Sequence, residues 1–354
     1  MMTTEIKAPR GSTFPEREWQ ALSRFWHPIA ACSEVADDPV SATLLDVPLV
    51  LYRAKSVVSV ALDVCPHRGS RLSDGTLTDE HLVCPYHGLH FDGEGRCTLI
   101  PAQGPDKPIS ERLRLRSFPA VERHGLVWTT FCPDPIVPAP NWPTLDREDV
   151  RQSPVPPETW DVAAARHAEN FNDIAHVAWV HPSTFGTLPP GVPDYDLERT
   201  PVGLRHSYRE MGNNRLFERH MTPAEAGDET VPIPDVLYSY DFTFPFASSL
   251  EVRDPDGRSS YIFDVIQPLS RTRSRIYKII ARNFDLDGPI DRAVAFEQAV
   301  NREDRAVLEP AFVDAMPLDP TAEFHIRADR WSIAYRRALH DFESGRFGDL
   351  VLDQ

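Results

Sequence analysis

The chain has 354 residues, with 37 Lys and Arg against 53 Asp and Glu and a formal net charge of −16. This length suits two domains of the usual ~100–200 residues, and the charge repels phosphate backbones, which excludes nucleic acid as the main partner. Hydrophobic residues make up 41%, yet no run approaches the ~18 apolar residues of a membrane span. The opening MMTTEIKAPRGSTFPE lacks the apolar core of a secretory signal, so the expected compartment is the cytoplasm. There Cys32, Cys65, Cys84, Cys97 and Cys132 are expected to ligate metal or lie buried rather than form disulfides.

From Trp26 to about Phe131 the chain reads as short β segments punctuated by Gly and Asp-Gly turns, which predicts a small all-β domain. Within it, CPHRGSRL carries Cys65 and His67, and CPYHGLHFD carries Cys84 and His87. Two thiolates and two imidazoles on two matched loops suit a [2Fe–2S] centre with Cys on one iron and His on the other. A tetrahedral zinc ion is the competing reading, but zinc sites usually pair Cys with Cys and His with His. Pro66 and Pro85 stiffen the loops, and Gly69 and Gly88 permit close backbone approach. Further on, Arg112, Arg114 and Arg116 alternate with leucines and would share one strand face with a possible role, beside Arg68 and Arg71, in docking an acidic protein.

Prolines then crowd the stretch from Pro133 to Trp160, and the domain boundary is placed near residue 145. Beyond it, VAAARHAENFNDIAHVAWVH has helical spacing and stops before Pro182. Asn170, Asp173 and His176 recur every three residues and would share a helix face. His181 follows His176 by five, about 140° on an ideal helix, so the two imidazoles converge only if the helix bends or ends between them. The stretch from 185 to 235 has no clear period. YSYDFTFPF, SSYIFDVIQPL and RIYKIIARNF read as strands, and PIDRAVAFEQAVNREDRAVLEPA as a long amphipathic helix. Two His and one carboxylate form the facial set of non-haem Fe(II) oxygenases. Asp304 lies on the apolar stripe of Val300, Val307 and Leu308 and is the expected third ligand, whereas Glu303 is rotated to a more polar flank.

Together the two motifs resemble the oxygenase α subunits of the Rieske non-haem iron oxygenases, from about Phe25 to Arg337. RFWHPIAACSEV, ENFNDIAHVAWVHPSTF and EDRAVLE look most like the demethylase group that includes caffeine N-, vanillate O- and dicamba O-demethylases. The resemblance implies an α+β chain. A Rieske β domain (1–145) with Cys65, His67, Cys84 and His87 on the cluster would precede a helix-grip catalytic domain (146–354) with His176, His181 and Asp304 on mononuclear Fe(II). It also implies a head-to-tail homotrimer in which Asp173 bridges the centres of neighbouring subunits, with Asn170 beside it. Electrons would come from NAD(P)H through a separate flavin reductase and ferredoxin, and O₂ would hydroxylate or demethylate a small aromatic or heterocyclic substrate. Leu89 stands where many relatives carry Trp. The alternatives are a cis-dihydroxylating ring dioxygenase, a natural-product tailoring oxygenase, a pure Rieske electron carrier and a structural zinc protein. The walls of the substrate pocket are expected from the 185–235 stretch and from around Tyr240, Phe242, Phe244, Tyr261 and Phe263.

Overall fold

Short β-branched and aromatic runs separated by tight turns build the first half of the chain. The computed structural model describes residues 6–78, 80–104, 107–213 and 231–346. The chain forms two compact units, Met1–Ala139 and Pro140–Gln354. The division lies inside the proline-rich stretch, slightly before the boundary expected near residue 145.

The first unit holds three small antiparallel sheets, one of which carries the two Cys/His loops at its margin. Two-residue turns at Leu45–Asp46, Lys55–Ser56 and His124–Gly125 have positive φ at both positions, the backbone that matches the right-handed twist of a hairpin. Val50, Tyr52, Leu72, Leu82 and Phe91 pack into one core around Cys65 and Cys84. The buried Asp63 accepts from the backbone N–H of Leu72 and Ser73, each at 2.7 Å, and from Ser73 Oγ at 2.6 Å. Its carboxylate thus anchors the far end of the loop that presents Cys65 and His67.

The second unit is a seven-stranded antiparallel sheet: β1 (Arg151–Trp160), β2 (Asp196–Thr200), β3 (Gly203–Asn213), β4 (Pro232–Thr243), β5 (Ala247–Arg253), β6 (Ser259–Ser270) and β7 (Arg273–Arg282), in the order β1-β7-β6-β5-β4-β3-β2. Helices α1 (Ala164–Asn172), α2 (Val177–Val180), α3 (Pro182–Phe185), α4 (Asp291–Ala311) and α5 (Arg330–Glu343) complete it. Helix α1 packs on β5, β6 and α5, and α4 on β1. On β4 buried and half-buried residues alternate, and the ring of Phe242 meets Trp331 and Tyr335 of α5 edge-on at 5.2 Å. A buried ion cluster ties α1 to α5: Arg336 forks onto Glu169 at 2.7 and 2.8 Å, and Arg166 reaches Glu169 and Glu323, each at 2.7 Å.

The single helix expected through His181 is broken into α1 and α2, and α3 follows after His181. The break falls at Asp173, which has extended backbone (φ −82°, ψ 127°) and whose Oδ1 accepts from the Ala175 N–H at 2.8 Å. An Asp side chain that satisfies a nearby backbone donor offers the chain an alternative to continued helix. Asp173 and His176 therefore lie beyond the end of α1 instead of extending a ladder with Asn170.

Candidate metal centres and substrate cavity

In the first unit the two Cys/His loops have the same backbone. Cys65 C=O accepts from Gly69 N–H at 2.9 Å and Cys84 C=O from Gly88 N–H at 3.0 Å; the cysteine N–H groups donate to Ser70 and Leu89 C=O. Both glycines have positive φ, 77° and 66°, which lets each loop close in so few residues. Both cysteines are buried and both histidines exposed, with the imidazole rings 4.6 Å apart. Burial pushes the Cys65 thiol up to about 11, opposed by the backbone N–H groups of His67 and Arg68 that point at its sulfur. Among the described residues the only group of three donors close enough to share one ion lies elsewhere. The four donors of the loops therefore do not converge on one point, as a single tetrahedral zinc ion would require, whereas a two-iron centre spreads them.

That other group is His176, His181 and Asp304. Breaking the helix at Asp173 places His176 at the start of α2, and His181 sits between α2 and α3. The imidazole Nε2 atoms are 3.3 Å apart, and Asp304 Oδ1 of α4 lies 3.4 Å from His176 Nε2 and 3.1 Å from His181 Nε2. An ion at the ~2.0–2.2 Å of metal–nitrogen and metal–oxygen bonds would cap this triangle from one side and leave its other face open. Asn170 Nδ2 donates to the same Oδ1 at 3.1 Å. Burial opposes ionisation of Asp304, but the two imidazoles outweigh it and hold the carboxyl far below its ordinary range. Burial likewise opposes charge on His176, yet Asp173 and Asp304 raise it to about 9. Two imidazole nitrogens and one carboxylate at this separation form a donor set that suits a divalent cation, which binds the rings in their neutral form.

Glu303 does not face solvent as its place on the helix suggested. Its Oε2 accepts from His181 Nδ1 at 2.8 Å and from Thr184 Oγ1 at 2.7 Å. A carboxylate on the far nitrogen fixes the tautomer that leaves Nε2 for the metal. No sequence spacing links residues so far apart. Asp173 holds a similar place beside His176, with Oδ2 3.5 Å from Nδ1. Burial opposes its ionisation, but His176 and the Ala175 and His176 N–H groups more than offset this and lower its pKa.

The open side of the triad faces a cavity of about 110 Å³. Tyr240 lines it as expected, joined by Tyr208, Tyr238, Glu210 and Ile262. Phe242, on the same face of β4, and Phe244, just past its end, lie under α5, where Trp331, Tyr335 and Phe342 cover them. Tyr261 and Phe263 point to the opposite face of the sheet, because Ile262 takes the cavity side. Leu188 to Val192, with Tyr208 and Glu210, contribute from the expected 185–235 stretch; residues 214–230 of that stretch lie outside the described residues.

The chain matches two family descriptions, "Rieske [2Fe-2S] domain" over residues 25–119 and "Vanillate O-demethylase oxygenase C-terminal domain" over residues 160–343. It is 32% identical to the methylxanthine N1-demethylase of Pseudomonas putida over 347 residues, 93% of this chain and 90% of the relative. Over 104 residues, 29% of this chain and 30% of the relative, it is 49% identical to the oxygenase component of dicamba O-demethylase from Stenotrophomonas maltophilia. The solved structure of the Pseudomonas N1-demethylase with caffeine superposes with a TM-score of 0.82 at 29% identity, covering 95% of this chain and 97% of that one.

Proposed function

The chain belongs to the Rieske-type oxygenases that carry a vanillate O-demethylase catalytic domain, and on that premise we propose that it hydroxylates or oxidatively demethylates a small heterocyclic or aromatic substrate. The observation that carries the proposal is the convergence of His176, His181 and Asp304 on one point at the open mouth of an aromatic-walled cavity. Cys65, His67, Cys84 and His87 would hold the [2Fe–2S] cluster, and the triad would hold mononuclear Fe(II). When bound, these groups supply one-electron transfer and O₂ activation. The protein's own part is positional. Glu303 and Asp173 orient the imidazoles, Asn170 steadies Asp304, and the tyrosine wall holds a planar substrate while excluding water. For a methyl substrate, O₂ with two electrons from the reductase and two protons would put one oxygen atom into a C–H bond and release the other as water. The hydroxymethyl group would then leave as formaldehyde, its hydroxyl proton passing to the nitrogen or oxygen it leaves.

Oxygenase components of this family take electrons from a separate reductase or ferredoxin. For this chain NAD(P)H is the proposed source and the cytoplasm the proposed compartment, where that reductant is kept. A head-to-tail trimer with Asp173 as the bridge between one subunit's cluster and its neighbour's iron is supported by the half-exposed position of that carboxylate next to His176. Trp179 and Phe324, which are 73% and 94% exposed, are apolar surface that a subunit contact would cover.

The test is metal analysis followed by turnover. Purified protein should be red-brown, with three irons and two acid-labile sulfides per chain. With surrogate-reductase electrons and a panel of methylated and unmethylated aromatics and heterocycles, formaldehyde or hydroxylated product should appear. A colourless protein that takes up only zinc would overturn the assignment, and a cis-diol product would move it to ring dioxygenation.

A further inference from the structure

The cavity wall contains one acid that no other described residue engages. Along β3, the buried His206 and Tyr208 and the half-buried Glu210 alternate with the exposed Arg205, Ser207 and Arg209. Period two therefore turns Glu210 to the same face as Tyr208 and, across the strand pair, as Tyr238 and Tyr240 of β4. Tyr208 stacks on Tyr238 at 4.9 Å and 7°, and Tyr240 on His206 at 4.3 Å and 10°. The three tyrosines and Glu210 line the cavity together with the His176–Asp304 end. One side of the cavity is thus a row of stacked aromatic rings with a carboxyl beside it.

The remaining charged wall residues are already engaged. Lys278 is the only Lys or Arg on this wall among the described residues. Its ammonium donates to Asn301 Oδ1 at 2.6 Å and lies 3.5 Å from Glu297 and 3.8 Å from Asp264. A buried lysine surrounded by two carboxylates has no charge to spare for an anionic ligand. Glu210, in contrast, has no hydrogen bond or ion pair among the described residues, and burial raises its pKa to about 7. Near neutrality it offers an acceptor oxygen in either protonation state, and in the protonated state a donor as well. An N–H satisfies it in both states. A second carboxylate does not, because the ionised form repels it.

We infer that Glu210 sets substrate choice by accepting a hydrogen bond from a ring N–H of a planar, uncharged or cationic heteroaromatic that lies against Tyr208 and Tyr238, and that aromatic carboxylates are rejected. The inference rests on the oxygenase reading, but binding reports it without turnover. Iron and sulfide content and product formation test that reading separately.

The experiment is calorimetric titration of the metal-replete full chain at pH 7 with theobromine, caffeine and 3-methoxybenzoate. Theobromine and caffeine share one bicyclic ring and differ at one nitrogen, which bears H in the former and methyl in the latter. A buried acceptor left without its donor costs about tenfold or more in affinity. Theobromine should therefore bind about tenfold tighter than caffeine, and the benzoate weaker than both. Glu210→Leu should erase the theobromine–caffeine difference, whereas Glu210→Gln, which keeps an acceptor oxygen, should retain most of it. Thermal melts and the cluster's visible spectrum establish that each variant is folded. Equal affinities for theobromine and caffeine in the parent protein, absence of binding by both, tighter binding of the benzoate, or an unchanged ratio in Glu210→Leu would each overturn the inference.

Discussion

Removing the Glu303 carboxylate should weaken the proposed iron site without touching any of its three donors. His181 is 3% exposed, and its Nδ1 donates to Glu303 Oε2 at 2.8 Å; Thr184 Oγ1 donates to the same oxygen at 2.7 Å. In Glu303→Ala the imidazole loses a charge-assisted partner in a place where water has little access, and its Nδ1–H is left unpaired at a cost of about 1–3 kcal/mol. The ring can then take the other tautomer or rotate, so that Nε2 no longer faces the metal. Loss of such a partner typically lowers metal affinity about 10–100-fold, or roughly 1.4–2.7 kcal/mol. Glu303→Gln keeps an acceptor oxygen and should lose about threefold or less, since it gives up only the charge assistance. The measurement is equilibrium dialysis against a graded chelator series, with labile sulfide as the internal count of intact Rieske domains. If Glu303→Ala holds its third iron as tightly as the parent, the carboxylate does not position His181 and the reasoning is wrong.

Replacing Asp173 with Asn removes charge while keeping size. Both metal centres should assemble, but reoxidation of a pre-reduced cluster by O₂ with substrate present should slow roughly 10–100-fold; near-normal reoxidation would defeat the bridging role. His206 is buried without a partner for either ring nitrogen among the described residues, and burial lowers its pKa from 6.5 to about 3. The folded state therefore binds fewer protons than the unfolded state from pH 6.5 downward, and stability falls with acidification by about 1.4 kcal/mol per pH unit in that window. His206→Phe should flatten this acid slope in melts between pH 7 and 5, and parallel slopes would refute it. Arg112 and Arg68 are both exposed. Reversing both charges should slow electron uptake from an acidic ferredoxin and flatten its salt dependence, whereas unchanged stopped-flow rates would show that this face is not the docking surface.

Residue type and spacing were sufficient to single out the candidate donors. Cys65 with His67 and Cys84 with His87 sit in loops so short that each sequence permits little besides the observed turn, closed by Gly69 or Gly88 at positive φ. Asp304 was legible because a carboxylate on the apolar stripe of a long helix is costly to bury without a partner, and in the fold it meets both imidazoles. The need for a bend near His176 was also legible; its location at Asp173 was not, because the Asx turn there competes with helix by a margin that local pattern does not resolve.

What the sequence by itself singled out was therefore the candidate ligands and the elements with a clear period, such as the strand through Tyr240 and the long helix through Asp304, since these follow from periodicity and from chemistry within a few residues. β2 and β3, in the stretch without a clear period, came only with the fold. The tertiary structure alone decided which side chains face the cavity. Alternation along β4 and β6 puts every second residue on one face, but only α5 over Phe242 and Phe244, and the open space beside Tyr238 and Tyr240, separate core from pocket. The same holds for Glu303 and Glu210: their neighbours, His181 and Tyr238, are distant in the chain, and such pairings are set by packing between elements, which no local pattern encodes.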